Sequence, residues 1–384
     1  MRVLHVIGSV APREGGPTVA IKGMSSALAA QGLEVTVATT NADGPRDTLD
    51  VPVRDPVIEK GVEYRHFART LPGTFGLSLP LSRWLRANVA AYDVVEVHGL
   101  FVHATIAGCR AARRAGVPYV VRPLGMLDPW SLAQHAWKKR PYIRLIERPH
   151  LDGAAAIHAT SESEADSVRG LGYRDRVRVI PLGVDAMPAS RSERRGGDAI
   201  ELLFLSRLHP KKNVPLLLAA VAEARKAGAD LRLTIAGTGT DEYRAELDRQ
   251  VDALALRPVV RFVGQVAGDA KRELLARSDV FALPSSQENF GIAVAEALAA
   301  GLPVVVSDQV ALAPDIAAAD AGIIVPVDVA ATAAALIDLA RDPERRRAMG
   351  DRAARLAEAR YSWARTAREL RELYEELARA RRVR

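Results

Sequence analysis

Cysteine, aromatic residues and long apolar runs are all scarce in this sequence. The single cysteine, Cys109, excludes an intramolecular disulfide and gives no sign of a secreted, disulfide-stapled fold. Aromatic residues make up only 5%, and no basic run is interleaved with them, which argues against a nucleic-acid partner. No apolar stretch is long enough to cross a bilayer, and residues 1–8 resemble a buried strand rather than a signal peptide. The sequence therefore predicts a cytoplasmic protein.

Short motifs that indicate common cofactors are missing as well. There is no Asp-x-Asp pair of the kind that holds a divalent ion against a diphosphate, and no Cys and His cluster with metal-ligand spacing. The loop after the first apolar run, GSVAPREGGPT at 8–18, lacks the Gly-x-Gly-x-x-Gly spacing of dinucleotide folds. We therefore expect neither a required metal nor a nicotinamide cofactor.

Length and charge indicate the broad class of protein. At 384 residues the chain exceeds the usual size of a single hydrophobic core, so two domains are expected. Its 48% hydrophobic and 26% charged residues are ordinary for a globular protein. The formal net charge of +7 favours an acidic partner, but it does not choose among nucleic acid, a membrane and a phosphorylated substrate.

Short apolar runs alternate with amphipathic segments along almost the whole chain. This pattern predicts an α/β protein in which helices cover both faces of parallel sheets. The predicted strands are 2–8, 33–39, 62–67, 93–97, 118–122, 154–159, 177–181, 200–205, 231–236, 259–263, 279–283, 303–306 and 323–325. The predicted helices are 18–31, 79–91, 103–115, 162–171, 213–227, 240–256, 269–276, 291–300 and 330–341.

A polar, Gly-rich stretch at 186–198 interrupts this pattern and predicts a linker. The domains predicted from it are 1–190 and 198–360, followed by a charged helix over 361–384. Two doubly wound halves joined in this way would leave a cleft between the carboxyl ends of their sheets. Candidate site residues are therefore sought in the loops that follow predicted strands.

Residues 284–296, PSSQENFGIAVAE, carry two carboxylates, Glu288 and Glu296, on either side of a predicted helix start. A helix start has free backbone N–H groups and attracts an anion such as a diphosphate. Carboxylates beside it can accept hydrogen bonds from sugar or ribose hydroxyls. The alternative is one surface glutamate and one buried glutamate that pairs with a distant arginine.

Together with GLPVVV at 301–306, this segment resembles the Glu-x7-Glu motif of the retaining glycosyltransferases of family 4, which have the GT-B fold. The resemblance implies two Rossmann-like domains facing a cleft, with the last helix crossing back to the first domain. It implies that Glu288 holds hydroxyls of the transferred sugar, with the backbone of Asn289, Phe290 and Gly291 around it. Glu296 would take the ribose hydroxyls.

The segment SRLHPKKN at 206–213 follows the first strand of the second half and resembles the family's Arg-x4-Lys element. Arg207 and Lys212 would then bind the nucleotide diphosphate as it leaves. Breaking a sugar–phosphate bond places negative charge on that group, so cations there favour the transition state. The alternative is a solvated basic loop.

Two candidate elements lie in the first half of the chain. Gly15 and Gly16 resemble the family's glycine loop, where backbone N–H groups approach the donor, and Gly16 lies nearer the helix start. A plain flexible turn is the alternative. His98 ends a predicted strand before Gly99, and the family often has a histidine here that contacts the transferred sugar. A structural histidine is the alternative.

The segment RPLGMLDPW at 122–130 begins at a predicted strand end and indicates an ordered cleft loop. The segment WKKRPYIRLIER at 137–148 mixes aromatic and basic residues in helical register around Pro141 and resembles one in bacterial transferases that build exopolysaccharides and O-antigens on lipid carriers. The resemblance implies a lipid-linked saccharide or other glycan acceptor, and peripheral contact with anionic lipid at the inner face of the plasma membrane. The alternative is a helix whose Trp and Tyr pack inward while Lys and Arg face water.

The combined resemblance implies a metal-independent, retaining hexosyltransferase of cell-surface polysaccharide synthesis. It would use a nucleotide-diphosphate sugar, with catalytic roles for Arg207, Lys212, Glu288 and His98. The motif GTG at 237–239 departs from the family pattern because it lacks the acidic residue often found between those glycines. Two other functions stay open: a GT-B sugar-nucleotide epimerase or hydrolase, and a non-catalytic nucleotide-sugar-binding subunit.

Overall fold

The computed structural model describes residues 1–133, 136–187 and 199–383, and the chain divides into two compact units. The first unit contains residues 1–183 and 363–384, and the second contains residues 184–362. The predicted linker lies outside the described residues from position 188 onward. Each unit has its own parallel sheet.

The strands of the first unit are β1 (Arg2–Ile7), β2 (Glu34–Thr40), β3 (Ala42–Asp43), β4 (Asp47–Thr48), β5 (Val57–Glu59), β6 (Val62–Phe67), β7 (Val94–His98), β8 (Tyr119–Arg122), β9 (Ala156–Ala159) and β10 (Val177–Val179). The main sheet has the order β10-β9-β8-β7-β1-β2-β6-β5, and β5 is antiparallel to β6. Val3 pairs with Val35 on one side and with Val94 on the other. The central strands β1, β2, β7, β8 and β9 are buried along almost their whole length, which is why they are rich in apolar and β-branched residues.

Helices lie between these strands. They are α1 (Gly16–Ala30), α2 (Leu79–Asn88), α3 (His103–Arg114), α4 (Pro129–Ala133), α5 (Ala136–Tyr142), α6 (Arg148–Asp152) and α7 (Glu162–Gly170). The side chains of Ser78 and Ser161 cap α2 and α7 by accepting hydrogen bonds from backbone N–H groups of the first turn.

The second unit has the strands β11 (Ile200–Leu205), β12 (Leu231–Ala236), β13 (Val260–Gly264), β14 (Val280–Leu283), β15 (Val304–Ser307) and β16 (Gly322–Val325). Its helices are α8 (Val214–Lys226), α9 (Asp241–Ala253), α10 (Gly268–Arg277), α11 (Ile292–Ala299), α12 (Ala313–Ala318), α13 (Val329–Arg341) and α14 (Pro343–Arg360). The sheet order is β13-β12-β11-β14-β15-β16, with every pair parallel. The order reverses between β11 and β14. A reversal of this kind opens a crevice at the carboxyl ends of the two strands.

Each strand predicted from the sequence is present, with small shifts at its ends. The short strands β3, β4 and β5 and the helix α12 were not predicted, because they are too short to show a hydrophobic period. The helical segment predicted around Pro141 is α5 followed by a π-helical turn at Ile143–Glu147. Pro141 has no backbone N–H and therefore cannot continue a regular helical ladder.

The last helix, α15 (Trp363–Val383), belongs to the first unit and packs against α1. Its Tyr374 hydroxyl donates a hydrogen bond to the fully buried carboxylate of Glu96 on β7. His158 on β9 donates to the same carboxylate over 2.8 Å. Burial alone would raise the pKa of Glu96, but the charge and hydrogen bond of His158 outweigh it and hold that pKa below its ordinary value. The buried carboxylate thus joins α15 to the centre of the sheet.

We predict that Tyr374→Phe destabilises the first unit by about 1–3 kcal/mol, because a buried carboxylate loses a donor. Urea unfolding followed by tryptophan fluorescence measures this unit, since all four tryptophans (Trp84, Trp130, Trp137 and Trp363) belong to it. The matched control is Tyr173→Phe, which removes a hydroxyl whose 2.8 Å hydrogen bond to Asp152 is exposed. Equal, small losses in both variants would contradict the assigned role of Tyr374.

Candidate active site

The loops that follow β11 and β14 are joined by hydrogen bonds at the strand-order reversal of the second unit. Asn213 has a left-handed backbone conformation (φ 52°) at the start of α8, after a 3-10 turn at Pro210–Lys212. Its side-chain amide donates to Pro284 O over 2.9 Å and to Ser286 Oγ over 2.8 Å. These contacts hold the predicted Arg-x4-Lys element beside the predicted Glu-x7-Glu element.

Lys212 and Glu288 form an ion pair across these two loops. Their side chains are 15% and 12% exposed, so the pair is largely withdrawn from water. Ser285 Oγ also donates to Glu288 Oε1 over 3.0 Å, and the Glu288 backbone N–H donates to Gln309 O. Both the side chain and the backbone of Glu288 are therefore fixed before any ligand binds.

Arg207 lies in the same loop as Lys212, and its side chain is exposed. Within the three described ranges, no hydrogen bond or ion pair engages its guanidinium group. Gly237 (φ 141°) packs closely against this loop, and a Cβ added to it would come within 1.8 Å of Ser206 O. The first glycine of the GTG motif is therefore required for close backbone approach. Arg207 and Lys212 thus place two cations in the loop that follows β11.

The start of α11 lies directly after Glu288. Gly291 precedes the helix with φ 91° and provides no side-chain cap. The side chain of Phe290 is buried, and its ring stands perpendicular to that of Tyr361 at 5.7 Å. The Phe290 side chain therefore serves packing, and the ligand contacts that the resemblance implies for the backbone of Asn289, Phe290 and Gly291 stay a prediction.

Glu296 lies within α11 and pairs with Lys271 on α10, whose Nζ is 2.5 Å from Glu296 Oε1. Burial raises the pKa of Glu296, and the Lys271 charge opposes that shift. The sequence did not predict Lys271, because no motif connects α10 with α11 and the contact depends on how the two helices pack.

In the first unit, Gly15 and Gly16 follow β1 at another reversal of strand order, between β1 and β7. Gly15 has φ 66° and immediately precedes α1, which begins at Gly16. No atom lies within 4 Å of a Cβ built on Gly15, so it is the backbone angle rather than space that favours glycine.

His98 ends β7 at the same reversal and is buried. Its Nε2 shares a hydrogen bond of 2.9 Å with His5 Nδ1, and its Nδ1 has no hydrogen-bond partner among the described residues. Burial holds the pKa of His98 well below its ordinary value, while the Glu96 carboxylate opposes this shift and Arg122 adds to it. Burial thus favours the neutral form of His98, whose side chain is enclosed within the first unit.

Among the described residues, His5, Glu96 and His98 form one group whose ligand atoms all lie within 4.8 Å of one another. The sequence showed no such cluster, because its members come from two separate strands, β1 and β7. The Glu96 oxygens already accept hydrogen bonds from His158 and Tyr374, and the buried Arg122 guanidinium adds positive charge nearby. These features favour a structural network over a bound cation.

The aromatic and basic segment of the first unit divides into an exposed face and a packed face. Trp137 and Leu145 are 75% and 71% exposed, so the interpretation in which Trp packs inward is wrong for Trp137. The ring of Tyr142 does pack, at 5.7 Å from that of Phe101. Across the described ranges, no helix is both apolar enough and long enough to span a bilayer.

Comparison with protein families matches both halves of the chain. The family described as "Glycosyl transferases group 1" matches residues 188–356. The family described as "Glycosyl transferase 4-like domain" matches residues 15–183.

Similar proteins of known name are D-inositol 3-phosphate glycosyltransferases. The protein from Kineococcus radiotolerans is 31% identical over 94% of this chain and 90% of its own length. The protein from Catenulispora acidiphila is also 31% identical, with the same coverage of both chains. These relatives carry inositol phosphate names rather than the exopolysaccharide and O-antigen names that the segment at 137–148 suggested.

Solved structures share the fold at low identity. Anabaena HepE in complex with UDP and glucose has a TM-score of 0.77 and 21% identity, covering 98% of this chain and 100% of that one. Sucrose-phosphate synthase from Thermosynechococcus elongatus has a TM-score of 0.79 and 20% identity, covering 99% and 100%. The two Rossmann-like sheets, the matched family descriptions and the relatives agree: this chain belongs to the group 1 glycosyl transferases and has the GT-B fold.

Proposed function

We propose that this protein is a retaining, metal-independent hexosyltransferase that uses a nucleotide-diphosphate sugar as donor. One observation carries the proposal: Lys212 and Glu288 meet at the strand-order reversal of the second unit, beside the start of α11, and the exposed Arg207 lies in the same loop as Lys212. Two cations, a helix start and a carboxylate are the groups that a sugar diphosphate requires.

The charge of each side chain indicates which part of the donor it binds. Arg207 and Lys212 bind the diphosphate and stabilise the negative charge that develops as it leaves. Lys212 has three N–H donors, so it can contact a phosphate oxygen while one donor stays on Glu288. Glu288 then accepts hydrogen bonds from hydroxyls of the transferred sugar, and Glu296 accepts those of the ribose.

The assignments in the first unit are part of the same proposal. Gly15 and Gly16 would bring backbone N–H groups to the donor, and His98 would contact the transferred sugar. Their support is their position after β1 and β7, at the reversal of strand order where α/β sheets bind ligands.

The donor and acceptor are proposed from the relatives. A uridine nucleotide is the first donor to test, because HepE is described in complex with UDP and glucose. A phosphorylated cyclitol is the first acceptor to test, because the relatives are named for D-inositol 3-phosphate. The lipid-linked glycan suggested by the segment at 137–148 is the second acceptor class.

If the acceptor is a lipid-linked glycan, the protein contacts an anionic membrane peripherally. The exposed side chains of Trp137 and Leu145 lie on a segment that also exposes Arg144 and Arg148, which suits an anionic interface. A cytoplasmic location is part of the proposal in either case.

The proposal is tested with the purified protein in excess EDTA. We expect a thermal-shift panel of UDP, GDP, ADP and their sugars to show one stabilising base, and NMR of the product to show the donor's anomeric configuration retained. Transfer should continue in EDTA because the cations are supplied by Arg207 and Lys212. Donor consumption without an acceptor would indicate an epimerase or hydrolase, and stabilisation without any turnover would indicate a binding subunit.

Replacing Lys212 should remove most of the activity. We predict that Lys212→Ala lowers kcat at least ~100-fold, the scale of one lost charged contact in the transition state. The matched control is Lys211→Ala in the same 3-10 turn. Lys211 Nζ donates a hydrogen bond to Gln287 Oε1 over 3.1 Å, and the kcat of this variant should stay near that of the wild type. Near-normal turnover of folded Lys212→Ala protein would remove Lys212 from this role.

Replacing Glu288 should alter selectivity as well as rate. We predict that Glu288→Ala lowers kcat/KM and reduces discrimination among UDP-glucose, UDP-galactose and UDP-N-acetylglucosamine by about tenfold, because sugar hydroxyls lose a charged acceptor. Gln287→Ala, one residue earlier in the loop, should keep the wild-type preference. The sugar contact assigned to Glu288 is wrong if the preference order and its size are unchanged.

A further inference from the structure

Both carboxylates at this site are paired with a lysine from another part of the second unit. Glu288 meets Lys212 from the turn after β11, and Glu296 meets Lys271 from α10. Lys212 shares its loop with a second cation, Arg207. The contact that the structure shows for Lys271 is the one between its Nζ and the Glu296 carboxylate. The two lysines therefore stand in different electrostatic surroundings.

The Lys271–Glu296 pair is partly withdrawn from solvent, with side chains 22% and 14% exposed. A carboxylate in that position is favourable only when a cation or several donors face it. Lys271 contacts Oε1, and Oε2 has no hydrogen-bond partner in the part of the chain that the structure describes. The pairing thus leaves acceptor capacity on the carboxylate.

Few other charges face Glu296. Within α11, Ile292–Ala299, it is the only titratable residue. On α10, the neighbouring Arg272 is engaged by Asp269. Asp185 is the other charged group that acts on Glu296, and it disfavours the ionised form. Burial acts in the same direction, so Lys271 is the group that favours ionisation.

We propose that Lys271 is a positioning residue for ribose recognition: it keeps Glu296 ionised and oriented so that the carboxylate can accept hydrogen bonds from the two ribose hydroxyls. This inference rests on the proposed function. A protonated carboxyl group has one oxygen occupied by hydrogen and loses part of its acceptor capacity. Without Lys271, burial and Asp185 would both raise the pKa of Glu296, and discrimination between ribose and deoxyribose would weaken.

The test compares binding of two ligands by calorimetry: the ribonucleoside diphosphate selected in the thermal-shift panel, and its 2′-deoxy form. Wild-type protein should bind the ribonucleotide at least about tenfold more tightly, because the deoxy form leaves a charged acceptor unpaired. Lys271→Met should reduce that ratio to about threefold or less near pH 6, and the ratio should recover as the pH rises towards about 9 and Glu296 ionises. Lys271→Arg keeps the charge and should preserve most of the ratio.

Two further variants provide controls. Arg272→Met, on the same helix and exposed, should leave the ratio unchanged. Glu296→Gln should reduce the discrimination at least as far as Lys271→Met does near pH 6, and adding Lys271→Met to it should have no further effect, since both act through one contact. Circular dichroism and the melting temperature confirm that each variant is folded.

The outcomes separate this inference from the proposed function. If Lys271→Met weakens both nucleotides equally, Lys271 contacts the diphosphate or base directly and the inference is wrong. If Glu296→Gln reduces discrimination while Lys271→Met does not, the ribose assignment holds and the role of Lys271 fails. If no nucleoside diphosphate binds the wild type, the proposed function itself fails.

Discussion

A lysine and a glutamate that are both mostly shielded from water must remain together, and this constraint organises the candidate site. Removing either partner of the Lys212–Glu288 pair leaves an uncompensated charge, which costs more than the pair contributes. The loops that carry the two residues are therefore joined by neutral hydrogen bonds from Asn213, and the backbone of Glu288 is bonded to Gln309. A polar ligand that enters this crevice finds charges that are already positioned, so little reorganisation is needed.

In the first unit, a buried charge at the strand-order reversal is also compensated by neighbouring groups, but there it stabilises packing. Glu96 is completely buried and is surrounded by donors from β9 and α15, so its charge stabilises the packing of the last helix. His5 and His98 hydrogen bond to each other. In the second unit, by contrast, the charged side chains keep part of their surface in solvent. In the first cluster both oxygens of the Glu96 carboxylate already accept hydrogen bonds, whereas in the second Oε2 of Glu296 keeps acceptor capacity for a ligand.

Local patterns predicted the strands well because a strand buried on both faces requires a continuous apolar run, which is visible without tertiary information. They also predicted Lys212 and Glu288 as site residues, because both follow such runs and both resemble elements of a known family, and the structure pairs these two side chains. At Gly237 the sequence pattern indicates only that an acidic residue is missing beside it. Its close approach to Ser206 arises because β11 and β12 lie side by side in the sheet.

The amino-acid sequence alone determined where strands and helices form and which chemical groups follow the strands, since these depend on period, turn residues and motif spacing over short distances. The tertiary structure decided which lysine faces which carboxylate. Lys271 and Glu296 belong to consecutive helices separated by β14, and their contact exists because both helices pack on one sheet. Likewise, His5 meets His98 because β1 and β7 are neighbours in the sheet although they are far apart in the chain. Such pairings depend on strand order, which no local pattern encodes.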